Sequence, residues 1–546
     1  MSLNIQPAPA TANATPVGVI TPQELRTEAL DGGEIAVVDA RTGDRYIQGH
    51  ISISVELPYG EIETQADSLL PRRSVRVVVT DDDGGDLAFA AARRLLSLGY
   101  TDVRVLEGGL EGWQRAGNIL ITGQYALSKA LGEFIERRYH TPRISAQDLH
   151  ARIEAGEELV ILDTRPLDEF HHISIPGGIA APGAELLYRI FDKVPSPDTP
   201  VVINCAGRTR AIIGAQALRN AGFPNPVVSL ENGTSAWLLE GFEPARGASA
   251  EAARPTPEGV ARASEAASTL VDRFGIRTLT KAELDTFRAA ENEQTLYLFD
   301  VRTADEYAQG HLPGARSAPG GQLVQTTDRF VGVRQGRIVL IDDPDLVRSR
   351  ITASWLIQLG HEHVYVYPAT REELTETGQG DIRVLRDADA AKTIESSELE
   401  ALLTADEAVV IDLDPPPPYF RERHFIPGSH VARRVTLARN LSRIPGNGHI
   451  VLTSGDGAIA RLAAAELVDG ERPVVALAGG TQAWIAAGLP VKTGLDQPAI
   501  DPAEALPPLP TLEERRVSLA AYVSWGDHIT DELQKDGLVN FKEGAQ

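Results

Sequence analysis

Leu159-Val-Ile-Leu-Asp163-Thr-Arg165 is a short apolar run that ends in an aspartate, with an arginine two residues later. Similar runs occur three more times, as Ile35-Ala-Val-Val-Asp39-Ala-Arg41, Leu296-Tyr-Leu-Phe-Asp300-Val-Arg302 and Ala408-Val-Val-Ile-Asp412-Leu-Asp414. A short run of this kind, rich in β-branched residues, is typical of a strand buried on both faces of a parallel sheet. The chain therefore contains four copies of one unit, and the aspartate marks the carboxyl edge of each sheet.

Each unit repeats the same succession of elements after this strand. A second buried strand follows about 40 residues later, and a helical pattern comes directly after it. The predicted second strands are 75–80, 200–204, 337–342 and 449–454, and the predicted helices are 87–98, 210–221, 348–359 and 458–468. Gly99, Gly222 and Gly360 are suited to cap three of these helices. A third strand follows, and such alternation predicts an α/β fold in which helices flank each parallel sheet.

We place the four tandem domains at 17–121, 142–245, 276–370 and 392–494, followed by a proline-rich linker and a C-terminal helix at 495–546. The intervening segments 122–141, 246–277 and 371–391 are predicted linkers. Thr511-Leu-Glu-Glu514 is a capping-box pattern that opens the C-terminal helix. The apolar residues of this helix pack on their own chain or, in the alternative interpretation, on a second subunit.

Composition excludes several classes of protein. The 546 residues include 52 basic and 76 acidic ones, a net charge of −24 that opposes binding to nucleic acid and to anionic membranes. No apolar stretch approaches the ~18 residues of a membrane span, and the N-terminus lacks a signal pattern, so we expect a cytoplasmic protein. The single cysteine, Cys205, excludes an intrachain disulfide, a thiolate zinc cluster and an iron–sulfur centre. We expect no metal and no cofactor.

Cys205 lies in the turn between the second strand and the following helix of the second unit, at the edge of the sheet where ligands of such folds bind. Backbone N–H groups at the start of a helix, together with Arg208 and Arg210, favour a thiolate over a thiol. We therefore expect Cys205 to be ionised at neutral pH. The alternative, an inert core cysteine, is weak because Asn204, Gly207 and two arginines are poor core material.

Together the Asp-x-Arg motifs, Gly310-His-Leu-Pro-Gly-Ala315, the Cys205 loop and the tails that end at Trp113, Trp237 and Trp484 resemble the rhodanese family of sulfurtransferases, four times in tandem. The resemblance implies that Cys205 accepts a sulfane sulfur from thiosulfate or a low-molecular-weight persulfide and passes it to cyanide or a thiol. It also implies a substrate-binding cradle and two supporting residues. The cradle is Ala206, Gly207, Arg208, Thr209 and Arg210, and the supporting residues are Asp163 and Arg165.

The second unit departs from the family pattern before this loop. It has Ile173-Ser174 where the third has Gly310-His311, and His171 and His172 stand upstream, either as proton shuttles or, as we favour, as exposed surface or strand-edge residues.

The other three units lack the nucleophile. Alignment on the following helix places Asp82 (or Asp81), Asp343 and Ser454 at the Cys205 position. These units are expected to be inactive scaffolds or, alternatively, docking surfaces for a partner.

Two other functions remain open at this point. A cysteine phosphatase or arsenate reductase would place five residues between cysteine and arginine, whereas four separate Cys205 from Arg210. A persulfide sensor or docking scaffold is the second alternative, although a sensor works best with a resolving cysteine. The expected partners are a small-molecule sulfur donor and a thiol or cyanide acceptor, with a homodimer or a protein acceptor as further alternatives, and neither nucleic acid nor membrane.

Overall fold

The computed structural model describes residues 16–380, 383–386, 388–414, 423–467, 472–504 and 511–545. These residues form four five-stranded sheets, one in each repeat of the sequence, and all neighbouring strands within each sheet are parallel. When the five strands of each sheet are counted in chain order, the spatial order is the same in every sheet: first, fifth, fourth, second and third. The predicted fold class, four α/β domains with helices beside parallel sheets and a helical C-terminal extension, is confirmed.

The first two repeats share one succession of strands and helices. The first contains β1 (Gly18–Ile20), α1 (Pro22–Ala29), β2 (Ile35–Asp39), α2 (Gly43–Tyr46), β3 (Ser54–Glu56), α3 (Ile62–Leu69), β4 (Arg76–Thr80), α4 (Asp86–Ser97), β5 (Asp102–Leu106) and α5 (Gly109–Arg115). After α6 (Ala126–Tyr139), the second contains β6 (Arg143–Ile144), α7 (Ala146–Glu154), β7 (Val160–Asp163), α8 (Leu167–His172), β8 (Ile179–Ala180), α9 (Glu185–Arg189), β9 (Val201–Asn204), α10 (Thr209–Asn220), β10 (Val227–Leu230) and α11 (Gly233–Leu239).

The last two repeats follow the same plan. After α12 (Pro257–Phe274), the third contains β11 (Arg277–Thr278), α13 (Lys281–Ala289), β12 (Leu296–Asp300), α14 (Ala304–Gln309), β13 (Arg316–Ser317), α15 (Gly320–Gln325), β14 (Arg337–Asp342), α16 (Val347–Gln358) and β15 (Val364–Pro368). The fourth contains β16 (Thr393–Ile394), α17 (Ser396–Thr404), β17 (Ala408–Asp412), β18 (His424–Phe425), β19 (His430–Val431), α18 (Arg434–Asn440), β20 (His449–Thr453), α19 (Ala458–Glu466), β21 (Val474–Leu477), α20 (Gly480–Ala486) and β22 (Lys492–Thr493), and β18 pairs antiparallel with β22. The last helix is α21 (Leu512–Asp536).

The chain divides into two compact units. One consists of the described parts of 1–56, 69–381 and 510–546, and it holds three of the sheets. The other consists of the described parts of 57–68 and 382–509, and it holds the fourth sheet. Among the described residues, none of the helices combines the length and the apolar character that crossing a bilayer requires.

The strands and helices follow the hydrophobic pattern closely. All residues of β2 and β7 are buried, as expected of strands covered on both faces. Helices α4, α10 and α16 begin and end within one residue of their predicted bounds. Gly99, Gly222 and Gly360 follow these helices with φ angles of 93°, 72° and 99°, the left-handed conformation of a C-terminal glycine cap.

Two predicted linkers are helical, which corrects the sequence analysis. Segment 122–141 contains α6, and segment 246–277 contains α12. Ala126, Ala130, Leu131 and Ile135 are buried along α6. Most of the residues between them are buried as well, so over 126–135 the helix is covered on most of its circumference and packs as part of the core.

The C-terminal helix α21 begins at the predicted capping box, in which Thr511 and Glu514 bond to each other's backbone N–H groups. Ile529 and Leu533 in its second half are fully buried in the core of the first repeat. Val517 in its first half is 61% exposed. The second half therefore packs on its own chain, as favoured from the sequence.

Candidate active site around Cys205

Cys205 directly follows β9, which lies between β7 and β10 in the second sheet, and it precedes α10. The residue is only 2% exposed. The backbone N–H groups of Gly207 and Ala211 hydrogen-bond to its sulfur. Main-chain donors at the start of α10 therefore surround the sulfur on the side of the helix, an arrangement that can hold an anion.

Polar side chains fix the base of the Cys205 loop. Asn204 donates from Nδ2 to Asp163 Oδ2 at 2.6 Å and to Thr234 Oγ1 at 3.1 Å. Arg165 donates from Nε and Nη2 to the same Asp163 carboxylate, at 2.8 and 2.7 Å. Asp163 and Arg165 thus hold two strand ends together beneath the loop, which fits the supporting role expected for them.

Gly233, the first residue of α11, explains why glycine stands before the tryptophan of the repeated motif. Its φ is +54°, and a Cβ placed there would lie 2.1 Å from the carbonyl oxygen of Cys205. The next residue, Thr234, donates its backbone N–H to that oxygen at 2.9 Å. A side chain at 233 would therefore displace the backbone of Cys205 itself.

The two loop arginines are paired with carboxylates from other helices. Arg210 bonds to both oxygens of Glu169 on α8, at 2.9 Å each. Arg208 lies 3.0 Å from Glu133 and also bonds to Glu136, and both of these residues belong to α6. From the sequence, both arginines are expected to offer their charge to the sulfur and to an anionic substrate. In the structure each of them is also paired with at least one carboxylate.

Helices α6 and α21 cover the loop with residues that the sequence did not single out. Lys129 of α6, 2% exposed, lies 2.7 Å from Glu133 and 4.0 Å from the ring centre of Tyr522 on α21. The Tyr522 hydroxyl lies 3.2 Å from that of Thr209. A Cβ added to Gly207 would meet the Tyr522 ring at 3.3 Å, so the ring rests on the loop itself.

The pKa of Cys205 differs from the sequence expectation. Burial raises the pKa of the thiol above its ordinary value, and the Asp163 carboxylate adds to this, while Arg210 and two backbone N–H groups oppose it. The expectation of a thiolate at neutral pH is therefore wrong for the covered site. The largest cause is burial, and the cations around the site, which could oppose it, are matched in number by carboxylates. The cations are Lys129, Arg165, Arg208 and Arg210, and the carboxylates are Asp163, Glu133, Glu136 and Glu169.

Strand register identifies the residues that replace Cys205 in the other repeats. Cys205 follows Asn204, which pairs with Asp163. The residues that pair with the equivalent aspartates are Thr80, Ile341 and Thr453, so the counterparts of Cys205 are Asp81, Asp342 and Ser454. In the first repeat the alternative Asp81 is therefore the counterpart and Asp82 is not, and Asp343 is wrong as well, because the first and third loops have one extra residue before the helix.

The extra residue is visible in the hydrogen bonds of these loops. Ala211, six residues after Cys205, donates its N–H to the sulfur, whereas Ala88, seven residues after Asp81, donates to the Asp81 carboxylate at 2.9 Å. Asp342 likewise accepts from the N–H of Ser349 at 2.8 Å. In these two repeats a carboxylate of the protein occupies the place that the sulfur has in the second repeat.

His171 and His172 are exposed on α8, in agreement with the favoured interpretation of them as surface residues. In the turn that follows these histidines, Arg165 donates from Nη2 to the carbonyl oxygen of Ile173, at 2.6 Å. Arg302 makes the same bond to Gly310 in the third repeat, at 2.7 Å. The turn is therefore built alike with or without the Gly-His pair.

Comparison with known families agrees with this geometry. The model of the rhodanese-like domain matches residues 21–116, 145–240, 280–370 and 395–487. The chain belongs to the rhodanese-like domain family. Each match contains four of the five strands of one parallel sheet, all except the first, and the second match contains the Cys205 loop.

Several rhodanese-like relatives cover different shares of the chain. The crystal structure of a thiosulfate sulfurtransferase from Pseudomonas aeruginosa is 38% identical, covers 97% of this chain and 100% of its own, and superposes with a TM-score of 0.86. The 3-mercaptopyruvate sulfurtransferase of Escherichia coli K12 is 27% identical over 38% of this chain and 90% of its own length. The uncharacterized protein YibN of the same organism is 31% identical over 20% of this chain and 75% of its own length.

Proposed function

We propose that this protein is a sulfurtransferase that moves sulfane sulfur from an anionic donor, thiosulfate or a low-molecular-weight persulfide, through a Cys205 persulfide to cyanide or a thiol. The observation that carries the proposal is the position of the Cys205 sulfur. It lies at the start of α10 and accepts hydrogen bonds from the backbone N–H groups of Gly207 and Ala211. The similarity of nearly the whole chain to the thiosulfate sulfurtransferase from Pseudomonas aeruginosa supports the reaction class.

The first half of the reaction loads the cysteine. The Cys205 thiolate attacks the outer sulfur of thiosulfate, the sulfur–sulfur bond of the donor breaks, and sulfite leaves with the bonding electron pair. The product is a Cys205 persulfide whose terminal sulfur carries the negative charge. Backbone N–H groups at the start of α10 stabilise that charge, as an oxyanion hole stabilises a developing anion.

The second half unloads it. Cyanide, or the thiolate of an acceptor, attacks the terminal sulfur of the persulfide, and the bond to Cys205 Sγ breaks with its electron pair on Sγ. Thiocyanate or a new persulfide leaves, and the Cys205 thiolate is restored. The two halves together transfer one neutral sulfur atom, so the cycle needs no external oxidant or reductant.

Thiolate formation is the step that the covered site disfavours. Burial raises the pKa of Cys205, and the loop arginines are matched by carboxylates. Arg210 lies close enough to lower that pKa, so it is the cation that supports the attacking thiolate. We propose that Arg210 has this role and that Arg208 chiefly holds the loop to α6.

The remaining repeats act in this proposal as scaffolds without a nucleophile. Asp81 and Asp342 occupy the sulfur position with carboxylates that take up the local N–H groups. Ser454 accepts one N–H, from Ala460 at 3.3 Å. A carboxylate there repels an anionic donor, and a serine hydroxyl is a weak nucleophile at its free pKa.

The proposal is tested by steady-state turnover of thiosulfate and cyanide, with thiocyanate measured as its ferric complex. We expect parallel double-reciprocal lines, the signature of a two-step covalent reaction. Cys205→Ser should abolish turnover, whereas Ser454→Ala, a matched change at the equivalent position of the fourth repeat, should leave it unchanged. Turnover that survives in Cys205→Ser would refute the proposal.

A further inference from the structure

The Cys205 site is closed in the structure. A donor must bring a sulfur atom within bonding distance of Cys205, yet the residue is 2% exposed. The proposed reaction therefore requires part of the cover to move. Three elements lie over the loop, α6, α11 and α21, and they differ in how firmly they are attached.

Helices α6 and α11 are firmly attached. Gly132 of α6 packs so closely on α10 that a Cβ there would lie 3.0 Å from Thr209. Ala130, Leu131 and Ile135 of the same helix are fully buried or nearly so. In α11, the N–H groups of Thr234 and Ser235 bond to the carbonyls of Cys205 and Ala206, at 2.9 and 3.0 Å. Movement of either helix would break the core or the loop itself.

Helix α21 is attached mainly through its second half, although in its first half Arg516 donates to the carbonyl oxygen of Leu239 at 3.3 Å. Gly526 lies against Lys129 and Glu133, and Ile529 and Leu533 are fully buried. Residues 511–518 are all exposed. Tyr522 lies one turn before Gly526, and it is the residue of α21 that contacts the Cys205 loop at both Gly207 and Thr209. A helix half with few buried contacts opens at low free energy while the rest of the fold stays intact.

We propose that Tyr522 gates the approach to Cys205 and limits the size of the sulfur donor that reaches it. The ring rests on Gly207 and under the Lys129 ammonium, and its hydroxyl meets Thr209. Opening the first half of α21 removes this ring and uncovers the loop. Loss of the ring leaves a permanent gap beside Gly207 that admits donors larger than thiosulfate. The limit on donor size rests on the proposed function, whereas access to the thiol is a property of the fold alone.

The direct test is alkylation of Cys205 by iodoacetamide in the full-length protein, followed by intact mass. Cys205 is the only cysteine, so every adduct reports this site. We expect Tyr522→Ala to raise the alkylation rate constant by about tenfold or more, because the closed state no longer blocks the thiol. Tyr522→Phe keeps the ring and should stay within about threefold of the wild type. Val517→Ala, an exposed change on the same helix, should have no effect.

Local opening is separated from unfolding by repeating the alkylation in low concentrations of urea. Reaction through local opening depends weakly on urea, because little surface is exposed. A rate equal to that of the wild type in Tyr522→Ala would overturn the proposal. So would a rate as steep in urea as global unfolding, and so would a phenylalanine variant as reactive as the alanine one, since the ring would then not be the barrier.

The donor-size arm uses thiosulfate and benzenethiosulfonate, which carry the same transferable sulfur on groups of different size. We expect Tyr522→Ala to raise the ratio of kcat/KM for benzenethiosulfonate over thiosulfate by about fivefold or more. An unchanged ratio would contradict the size limit. If alkylation responds to Tyr522 but neither donor is turned over, the gate stands and the proposed sulfurtransferase function falls, so the two failures are distinguishable.

Discussion

Arg210 bonds through both terminal nitrogens to the two carboxylate oxygens of Glu169, at 2.9 Å each. The arginine belongs to the first turn of α10 and the glutamate to α8. Along the chain, β8 and β9 lie between these two helices. Arg210, the cation that lowers the pKa of Cys205, is thus also paired with a carboxylate. How much of its charge the thiolate and an anionic donor can use depends on Glu169.

Glu169→Gln should therefore strengthen the site for anions. The amide keeps one hydrogen-bond acceptor for Arg210 but removes the competing negative charge, so we expect KM for thiosulfate to fall by about threefold to tenfold. Steady-state kinetics at fixed cyanide measure this. Arg210→Gln is the matched opposite change and should raise KM. An increase of KM in Glu169→Gln would mean that the ion pair is needed chiefly to hold Arg210 in place.

The rate of Cys205 alkylation should rise with pH through a midpoint above the ordinary thiol value of about 8.5, since only the thiolate reacts. Burial, the largest cause, raises this pKa, and Arg210 lowers it. Arg210→Gln should accordingly move the midpoint further up. A wild-type midpoint below 8 would contradict the charge balance described for the covered site.

The same pKa shift predicts a loss of stability at high pH. The fold favours the neutral thiol, so this stabilisation is fully present below the unfolded pKa of about 8.5 and is lost as the pH rises through the folded pKa. The urea midpoint of the wild type should decline more over this range than that of Cys205→Ala, which lacks the group. Equal declines in the two proteins would show that the fold does not favour the neutral thiol.

Arg348 is fully buried among four carboxylates, and removing it should destabilise the first compact unit. Its guanidinium lies 3.1 Å from Asp342, 3.2 Å from Glu185, 2.7 Å from Glu306 and 2.8 Å from Asp343. Arg348→Met leaves these charges uncompensated, at a cost of about 3–5 kcal/mol. Urea unfolding followed by circular dichroism measures the loss.

The control for this prediction is Arg254→Ala. Arg254 also faces Glu306, at 3.4 Å, but its side chain is 75% exposed. The change should cost less than about 0.5 kcal/mol. Equal losses from the two substitutions would show that the buried cluster has no special weight.

Moving the cysteine to the fourth repeat should not move the activity. Ser454 and Ala460 have the same six-residue separation as Cys205 and Ala211, so the double variant Cys205→Ser/Ser454→Cys has a thiol in a loop of the right length. This loop itself carries Asp456 and no arginine, and Asp414 beside Gly455 pairs with the neighbouring Arg423, at 3.0 Å. We expect thiocyanate formation at less than about 1% of the wild-type rate. Substantial turnover would show that loop length alone is sufficient.

Most of the fold could be read from the sequence because its signals are local. Buried strands such as Val160–Asp163 are continuous apolar runs, and Gly222 or Gly360 ends a helix by its own conformational freedom. The capping box at Thr511 is equally local. The helix α6 was missed because a run that contains Lys129, Glu133 and two arginines looks like a solvated linker, although its apolar residues have helical spacing.

Only part of the candidate site could be predicted, because many of its residues are distant from one another in the sequence. Cys205 and its loop are contiguous in sequence, but the residues that set its charge and cover it are not. Glu133 lies 72 residues before Cys205 and Tyr522 lies 317 after it, and no pattern along the chain pairs them. The expected thiolate was wrong because the arginines are visible in the motif, whereas the burial of Cys205, the largest cause of its raised pKa, and the carboxylates that pair with the arginines become visible only in three dimensions.

The central claim, that Cys205 carries the transferred sulfur, is tested most directly by intact mass after incubation with thiosulfate and removal of the excess. We expect the wild type to gain about 32 Da, one sulfur atom, and to lose it on addition of cyanide. Cys205→Ser should gain nothing. A wild-type protein that turns over thiosulfate without this adduct, or a serine variant that acquires it, would contradict the claim.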